Sequence, residues 1–386
     1  MPADTPGATE SQPCGSVRAI AHYLPQFYPN SWNDRWWGKG FTEWINVARA
    51  RPLYPGHDQP KLPGELGFYD LRLPDVREAQ ARLAREYGVS AFCYWHYWFG
   101  DDRRMLERPF EEVLAHGSPD FPFCLAWANH SWTGAWHGAH DRILIQQSYP
   151  GDDDYQRHFE TLVPAFHDPR YVRVEGHPLF IVYVPELLPD PGRFVDLWRR
   201  LATEAGLPGL FLVARTKGMV RPSEMGFDAA LTSALVPPFF SRLRSDPRAR
   251  YRIDWLLSAA SRRSRLLPGI YSYKHWSRHM PWLLDGSLSF PTVLPNWDNT
   301  PRAGRRGVVF EGATPELFRD QVRSAVQAVY DRQDEHRLVF IQSWNEWAEG
   351  NYLEPDRRHG RGYLEALRAG LNDGRAASEC AACGPG

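Results

Sequence analysis

The chain has few cysteines and no long apolar run. Only 5 of its 386 residues are cysteine, and two of these, Cys93 and Cys124, fall within apolar stretches typical of strands. Cysteine in such a stretch behaves as a small apolar side chain, which argues against a disulfide framework. No stretch reaches the length of a membrane span, and the first twenty residues lack the cationic start and apolar run of a secretion signal. We therefore predict a cytoplasmic protein without a transmembrane segment.

An excess of charge of one sign is also missing. The 45 basic and 46 acidic residues leave a formal net charge of −1. This balance gives no long-range attraction to nucleic acid, so we expect no nucleic-acid partner. Small neutral substrates fit the composition better.

Several catalytic signatures are absent from the sequence. The 14 histidines form no HExxH motif, and there is no GxSxG motif or Gly-rich phosphate loop. Cys380 and Cys383 form a single CxxC, whereas a structural zinc site needs four ligands. Nicotinamide, ATP and serine-hydrolase chemistry are disfavoured, and we predict neither a metal nor a cofactor.

Tryptophan is abundant, and the most informative cluster of it contains carboxylates. The segment 343–355, SWNEWAEGNYLEP, directly follows a short apolar run. Glycoside cleavage needs a pair of carboxyl groups, and tryptophan rings stack on sugars and raise the pKa of an adjacent acid. Glu346 and Glu349 are three residues apart, so a helical turn would aim both into one cavity. The plainer interpretation is that they begin a helix, and we expect Glu354 to be a loop acceptor.

Apolar runs alternate with helical patterns along the chain. Several runs are apolar throughout, as in parallel strands buried on both faces. The predicted strands are 18–23, 89–94, 121–127, 179–184, 210–215, 229–234, 291–295 and 338–343. The predicted helices are 75–87, capped by Asp75, one that follows Thr314, and 105–115, 154–166, 193–205 and 361–369. This order predicts a single (β/α)8 TIM barrel over 17–371, with extended loops at its C-terminal mouth and disordered tails at 1–16 and 372–386.

The aromatic and polar motifs follow the predicted strands, and in a barrel such segments meet at the C-terminal mouth. We expect the following residues there to bind substrate: Tyr23, Gln26, Trp36, Trp37, Glu43, Trp44, His96, Tyr97, Trp127, Asn129, His130, Trp297, Asp298, Trp344 and Asn345. Alternatives stay open for some of them. The tryptophans of 36–44 could pin a long loop, His96 and Tyr97 could pack beneath one, and Asp298 could begin an Asx turn.

A basic segment near 237–282 is too long for an ordinary connection, and we predict a helical insertion over the mouth. Its arginines lie mainly within 242–265. A solvated basic face is the plainer interpretation. The sharper one is a patch that recruits an anionic partner, including weak peripheral contact with a membrane.

Seven motifs resemble the WbsX-type family, which is related to glycoside hydrolase family 99. They are YLPQFYP, NDRWWGKGFTEW, LGFYDLR, FCYWHYWF, PDFPFCLAWAN, NWDNTPR and SWNEWAEGNYLEPD, in that order between about residue 18 and 370. The resemblance implies a (β/α)8 barrel that acts on glycans. WbsX-type proteins are described as polysaccharide-biosynthesis glycosyltransferases, whereas family 99 enzymes are retaining endo-acting α-mannosidases and mannanases.

The resemblance also implies roles for the glutamate pair. The first Glu of the hydrolase ExxE motif is thought to deprotonate the sugar 2-hydroxyl, giving a 1,2-anhydro intermediate, and the second is the acid/base. Carried over, Glu346 would be the base and Glu349 the acid/base. This chain departs from the family where it has His130 and His137 in place of acids. His130 could hydrogen-bond, face a phosphate-bearing substrate or be structural.

The sequence thus predicts a carbohydrate-active enzyme that cleaves or transfers a glycosyl unit with retention through Glu346 and Glu349. We expect an oligosaccharide or polysaccharide partner, with an activated or lipid-linked sugar as a further option. The alternative is a non-catalytic glycan-binding barrel.

Overall fold

Eight parallel strands form the barrel that the sequence predicts. The computed structural model describes residues 16–134, 139–216, 221–232, 267–278, 280 and 287–382. The barrel strands are β1 (Arg18–Tyr23), β2 (Val89–His96), β3 (Phe123–Trp127), β4 (His177–Val182), β5 (Phe211–Thr216), β6 (Ala229–Thr232), β7 (Ser289–Phe290 and Thr292–Val293) and β8 (Leu338–Ile341). They follow one another around the sheet in chain order, and β8 pairs with β1. Each of the eight predicted strands overlaps one of these.

The strand β7 closes the barrel although Pro291 divides it in two. Its first half pairs with β6 and its second half with β8. Proline has no N–H to donate, but its carbonyl accepts from the Phe340 N–H at 2.9 Å. The Thr232 hydroxyl accepts from the Thr292 N–H at 3.0 Å and donates to the Phe290 carbonyl at 3.2 Å. Side-chain hydrogen bonds therefore replace part of the ladder at this seam.

Helices cover the outside of the barrel. They are α1 (Ser31–Trp37), α2 (Trp44–Arg49), α3 (Pro74–Glu86), α4 (Arg108–His116), α5 (Asp152–His167), α6 (Pro191–Glu204), α7 (Tyr273–Arg278), α8 (Thr300–Ala303), α9 (Pro315–Gln327) and α10 (Gly362–Ala382). The helix α9 follows Thr314 as predicted, and the Thr314 hydroxyl caps it by accepting from the Leu317 N–H. Asp75 does not cap α3, because Pro74 already occupies the first turn and Leu73 precedes it.

The helix α10 extends through most of the predicted C-terminal tail. A disordered tail was expected from residue 372, yet the helix continues to Ala382. Gly370 and Gly374 let α10 approach α9 closely, since a Cβ at Gly374 would lie 2.6 Å from Val326 Cβ. This close packing explains why helix persists where the composition, rich in Gly and Ala, indicates a tail.

Short strands and turns complete the described part of the chain. Three short pairs are antiparallel: Trp132–Gly134 with Ala139–Ile145, Arg173–Val174 with the start of β4, and Asn345–Glu346 with Asn351–Tyr352. A fourth pair, Gly269–Ser272 with Val308–Glu311, is parallel. The 3₁₀ turns are Pro185–Leu187, Pro222–Met225, Gly304–Arg306, Asp334–His336 and Trp347–Glu349. Among the described residues, no helix combines the length and apolar content needed to cross a bilayer.

Two predicted segments fall mostly or wholly outside this description. The predicted N-terminal tail covers residues 1–16, of which the structure describes only Ser16. Of the predicted basic insertion, only 267–278 and 280 are described, and its arginines within 242–265 are not. The described piece contains α7, whose Trp276 ring stacks on Phe310 at 4.9 Å.

Candidate active site

A cavity of about 280 Å³ opens at the carboxyl ends of the barrel strands. Carboxylate, guanidinium, amide and aromatic side chains share its wall. The lining residues are Leu24, Trp95, Tyr97, Ala128, His130, Trp132, Thr133, Tyr183, Trp297, Asn299, Arg302, Ala303, Gln342, Glu346 and Glu349. Glu346 and Glu349 therefore reach one cavity, as the three-residue spacing predicts.

A tight turn after β8 presents the two glutamates. Asn345–Glu346 is a short strand, and Trp347–Glu349 follows it as a 3₁₀ turn. Gly350 ends the turn with a φ of +65°, and a Cβ there would lie 2.8 Å from the Asp298 backbone nitrogen. The Asp298 N–H donates to the Glu349 carbonyl at 2.7 Å. Only glycine fits this position. It lets the segment 345–350, called the glutamate turn below, contact the loop after β7.

Glu349 is paired with a buried arginine. Arg302, from α8, donates through Nη1 to Glu349 Oε1 at 2.5 Å and through Nε to Glu43 Oε1 at 2.7 Å. The Glu43 and Arg302 side chains are nearly inaccessible, whereas that of Glu349 keeps one-fifth of its surface exposed. Hydrogen bonds between charged groups are shorter and stronger than neutral ones, so Arg302 fixes the positions of both carboxyl groups.

Glu346 is hydrogen-bonded by neutral groups. Its Oε1 accepts from the Trp95 indole N–H at 2.7 Å, and the carboxyl group is buried. Burial, and then the neighbouring Glu349 carboxylate, raise the pKa of Glu346 to about 8, although Arg302 and Trp95 oppose this. At neutral pH, Glu346 therefore carries a proton.

The two carboxyl groups are close neighbours. The Asn351 amide donates to Glu346 Oε2 at 3.5 Å and to Glu349 Oε2 at 3.4 Å, and the two side chains also interact directly. Like charges this close cannot both be held without cost, so one proton is retained between them. Glu346 thus places a carboxylic acid beside a second carboxyl group, that of Glu349, at one wall of the cavity.

Aromatic rings form much of the remaining wall. The Trp95 and Tyr183 rings meet edge to face at 5.2 Å, and so do the Tyr97 and Trp132 rings. Trp297 lies beside Asn299 and Arg302 on the segment after β7. Such surfaces stack on the apolar faces of sugars and exclude water from the carboxyl pair.

Three of the residues predicted to bind substrate line the cavity: Tyr97, His130 and Trp297. His130 is largely exposed, and its ring lies 5.3 Å from that of Tyr183. His137, the second histidine in place of an acid, lies outside the described residues.

Several other predicted residues point away from the cavity because strand side chains alternate between faces. The Tyr23 hydroxyl donates to Gln80 on α3 at 2.7 Å. His96 bonds His158 on α5 at 2.8 Å, and the Trp127 ring packs on the same histidine. Burial lowers the pKa of His96 to about 3, so this is a neutral, structural pair. The interpretation of His96 as a packing residue fits the structure.

Other residues predicted to bind substrate instead hold the loops that carry the lining residues. Asn345 accepts from the Leu24 N–H at 2.7 Å, and Asn129 accepts from the Val184 N–H at 2.8 Å. Trp344 is fully buried against Phe92, and Gln26 is also buried. These four residues were predicted to bind substrate, but none of them lines the cavity.

The loop tryptophans fit the alternative that they fix a long segment. The Trp36 ring packs on Trp32 at 5.5 Å, and the Trp37 ring lies 6.3 Å from Phe41. Trp44 is buried, with its ring 5.7 Å from Trp347 in the glutamate turn. Glu43 does not line the cavity either, but it reaches the site through Arg302.

Asp298 belongs to a second cavity of about 250 Å³ rather than to the first. It accepts from His57 at 2.9 Å, from Gln59 at 2.6 Å and from the Thr300 N–H at 3.0 Å, which is the Asx turn that the sequence left open. Burial would raise the pKa of Asp298, but the bonds from His57 and Thr300 and the charge of Lys61 outweigh it and lower the pKa.

Sequence reasoning missed several lining residues. Trp95 and Arg302 lie in the quoted motifs and Trp132 lies three residues after one of them, but nothing in the sequence separated them from their outward-facing neighbours. A two-residue alternation through 95–97 would have selected Trp95 and Tyr97 over His96. Gln342 and Tyr183 carry no local signal. Within the described ranges, no group of three or more His, Cys, Asp or Glu side chains is placed to hold a metal ion.

Comparisons with known proteins agree with this geometry. The family model for glycosyltransferase WbsX matches residues 19–367. Two curated relatives, both called uncharacterized protein WxcX and from Xanthomonas campestris pv. campestris strains, are 41% identical over 358 residues, which is 91% of this chain and 49% of theirs. The chain thus spans about half the length of these relatives.

Solved structures show the same fold at low sequence identity. The GH99 endo-alpha-mannosidase from Bacteroides thetaiotaomicron superposes with a TM-score of 0.55 at 16% identity, covering 93% of this chain and 98% of that one. A structure described as a glycoside hydrolase-like protein gives 0.55 at 14% identity, covering 96% and 97%. By its family match, the chain belongs to the glycosyltransferase WbsX family of carbohydrate-active enzymes.

Proposed function

We propose that this protein cleaves or transfers a glycosyl unit, with Glu346 and Glu349 as the reacting carboxyl pair. One observation carries the proposal: two adjacent glutamates line one aromatic cavity in opposite electrostatic surroundings. A pair whose protonation states are pushed apart can supply a proton donor and a carboxylate at the same pH.

The surroundings favour Glu346 as the acid. It is the protonated member, with its carboxyl group among Trp95 and Asn351. Glu349, which is paired with Arg302, is then available as base or as the group that stabilises positive charge on the sugar. This is the reverse of the roles that the family resemblance implies.

Close contact between the carboxyl groups supports retention of anomeric configuration. Inverting enzymes separate their carboxyl groups by roughly 6.5 to 9.5 Å, so that water fits between them and the sugar. Here a single amide, that of Asn351, contacts both groups. The retaining route predicted from the family resemblance fits this arrangement better than inversion does.

The family supports glycan chemistry without choosing between hydrolysis and transfer. The matching family model is named for a glycosyltransferase, and a structural neighbour is an endo-alpha-mannosidase. We therefore expect a sugar substrate and leave the acceptor, water or a second sugar, to the experiment.

The test is turnover by the wild type and by Glu346→Gln and Glu349→Gln. Oligosaccharides, aryl glycosides, sugar nucleotides and lipid-linked sugars are incubated with each protein, and free or transferred sugar is measured by mass spectrometry. We expect wild-type turnover and a loss of about 10² to 10⁴-fold in each variant, because each removes a positioned proton-transfer group. Glycan binding without any wild-type product would favour a non-catalytic glycan-binding barrel instead.

A further inference from the structure

A second arginine lies beside the cavity and has no part in the glutamate network. Arg215 is near the end of β5 and is only 8% exposed. Its guanidinium stacks over the Tyr183 ring at 4.3 Å, and Nη2 donates to Gln342 Oε1 at 3.3 Å. Arg215 therefore adjoins the cavity through Tyr183 and Gln342, which both line it.

This guanidinium has no carboxylate partner among the residues that the structure describes. Its interactions there are the Tyr183 ring and the neutral Gln342 amide. Arg302, by contrast, is held by two carboxylates. An arginine carries five N–H donors and stays charged, so most of the hydrogen-bonding capacity of Arg215 is unused.

The neighbouring titratable groups do not balance the charge. His22 faces Arg215 from β1, and burial followed by the charge of Arg215 lowers the pKa of His22 to about 3, which keeps it neutral. Glu346 is the protonated member of its pair, and Glu349 and Glu43 are bound to Arg302. Burying a cation without an anion among the described residues costs desolvation free energy, and stacking on a tyrosine ring offsets only part of it.

We propose that Arg215 is an anion-binding residue of this cavity and that it holds a carboxylate or phosphate group carried by the sugar substrate. The planar guanidinium fork matches both groups with two parallel hydrogen bonds. The Tyr183 and Gln342 side chains hold the fork beside the cavity, and His130, on the Tyr183 ring, lies where it can contact the same group. This inference deepens the proposed function, on which it rests, by naming acidic sugars as the substrate class.

The test compares acidic sugars with their neutral parents. Isothermal titration calorimetry measures binding of glucuronate, galacturonate and mannuronate, of the three corresponding hexose 6-phosphates, and of glucose, galactose and mannose. We expect at least one acidic sugar to bind about 10- to 100-fold more tightly than its parent, and Arg215→Met to remove that preference. The uronate and phosphate arms identify which anion is held. Equal binding of acidic and neutral sugars, or a preference that survives in Arg215→Met, would overturn the proposal.

Two controls separate binding from folding. Arg319→Met removes an exposed arginine that is paired with Asp373 on the outer helices, and it should keep the preference. Arg215→Met should melt at the wild-type temperature or above, because replacing an unpaired buried charge with an apolar group is not destabilising. A melting temperature lower by more than about 4 °C, with the preference intact, would assign Arg215 a structural role instead.

Binding also separates this proposal from the proposed function. Glu349→Gln should lose turnover and keep the acidic preference. If the wild type turns over glycans through the glutamate pair but shows no acidic preference, only the inference about Arg215 fails. If the preference depends on Arg215 but no glycan is turned over, only the proposed chemistry fails.

Discussion

Two glutamates three residues apart have opposite surroundings, and this contrast is the main chemical feature of the site. Glu349 faces the charged Arg302, whereas Glu346 meets the indole N–H of Trp95 and a neutral amide. The same local motif therefore places one carboxyl group beside a cation and the other among neutral donors. The difference depends on which distant residues the barrel places beside each carboxyl group.

The pH dependence of turnover should reveal which glutamate donates the proton. Burial and Glu349 raise the pKa of Glu346 to about 8, so Glu346 is protonated below that pH and loses its proton above it. If Glu346 is the acid, kcat/KM falls as the pH rises through about 8, because this parameter reports the free enzyme. The measurement is kcat/KM from pH 5 to 10 on the glycan that the wild type turns over.

Another buried glutamate provides the control for that profile. Burial raises the pKa of Glu354 to about 7, although bonds from Trp347, Gln80 and Tyr69 oppose the rise. Glu354→Gln should keep the decline near pH 8, since Glu354 does not line the cavity. A kcat/KM that instead increases towards a plateau above pH 8 would make Glu346 the base, as the family resemblance implies.

Arg302→Met should damage both stability and turnover. The substitution leaves the buried Glu43 carboxylate and the partly buried Glu349 carboxylate without their cation. Breaking a buried pair in this way costs about 3 to 5 kcal/mol of unfolding free energy, and loss of charge positioning should lower turnover by at least about 10²-fold. Urea denaturation and initial rates measure the two effects.

The matched control is Arg305→Met, three residues along the chain. Arg305 is exposed on the following 3₁₀ turn, so its loss should change stability by no more than about 0.5 kcal/mol. If Arg302→Met behaved like Arg305→Met, the account of the Glu43–Arg302–Glu349 network would be wrong.

At the level of single residues, the sequence indicated the right motifs but not the right side chains within them. His96 and Trp127 were predicted to bind substrate, yet they face the helices, and the cavity is lined by Trp95, Tyr97 and Ala128. A shift of one residue along a strand moves every side chain to the opposite face of the sheet, and the turns that flank the strand set its register. The partners of Arg302 could not be predicted, because Glu43 is distant in the chain.

At the level of elements, the loops after the strands supply the site, and glycines allow the closest approaches between elements. Gly350 lets the glutamate turn contact the loop after β7, and Gly370 and Gly374 let α10 lie against α9. The strands were predictable because their apolar runs are buried on both faces. The break in β7 and the full length of α10 were not, since both depend on packing between distant segments.

Gly374→Ala should destabilise the contact between α9 and α10. The new Cβ would lie 2.6 Å from Val326 Cβ and 3.0 Å from the Arg323 carbonyl oxygen, so one helix has to move. Overpacking of this kind costs about 1 to 3 kcal/mol. Thermal or urea unfolding measures the loss.

Gly192→Ala is the paired control within a helix. Gly192 lies in the first turn of α6, where a Cβ would meet only Asp190 Oδ1, at 3.6 Å. The substitution should be neutral or stabilise by up to about 1 kcal/mol, because alanine restricts the unfolded chain. If both variants lost the same free energy of unfolding, the α9–α10 contact would not be an unusually close one.

At the level of the whole molecule, closure of the barrel brings the separate motifs to one mouth. The glutamate turn follows β8, Arg302 follows β7, and Glu43 follows β1. Closure through β7 therefore makes the Glu43–Arg302–Glu349 network possible. The barrel and its family were predictable from the order of the motifs, whereas the charge pattern inside the cavity required the three-dimensional structure.

The central claim is that two carboxyl groups in contact perform glycosyl chemistry with retention. Proton NMR of the first-formed product, recorded before mutarotation on a glycan that the wild type turns over, tests it most directly. The account predicts a product with the anomeric configuration of the substrate, and its disappearance in Glu346→Gln and Glu349→Gln. An inverted product, or no product from any glycan or activated sugar, would contradict it.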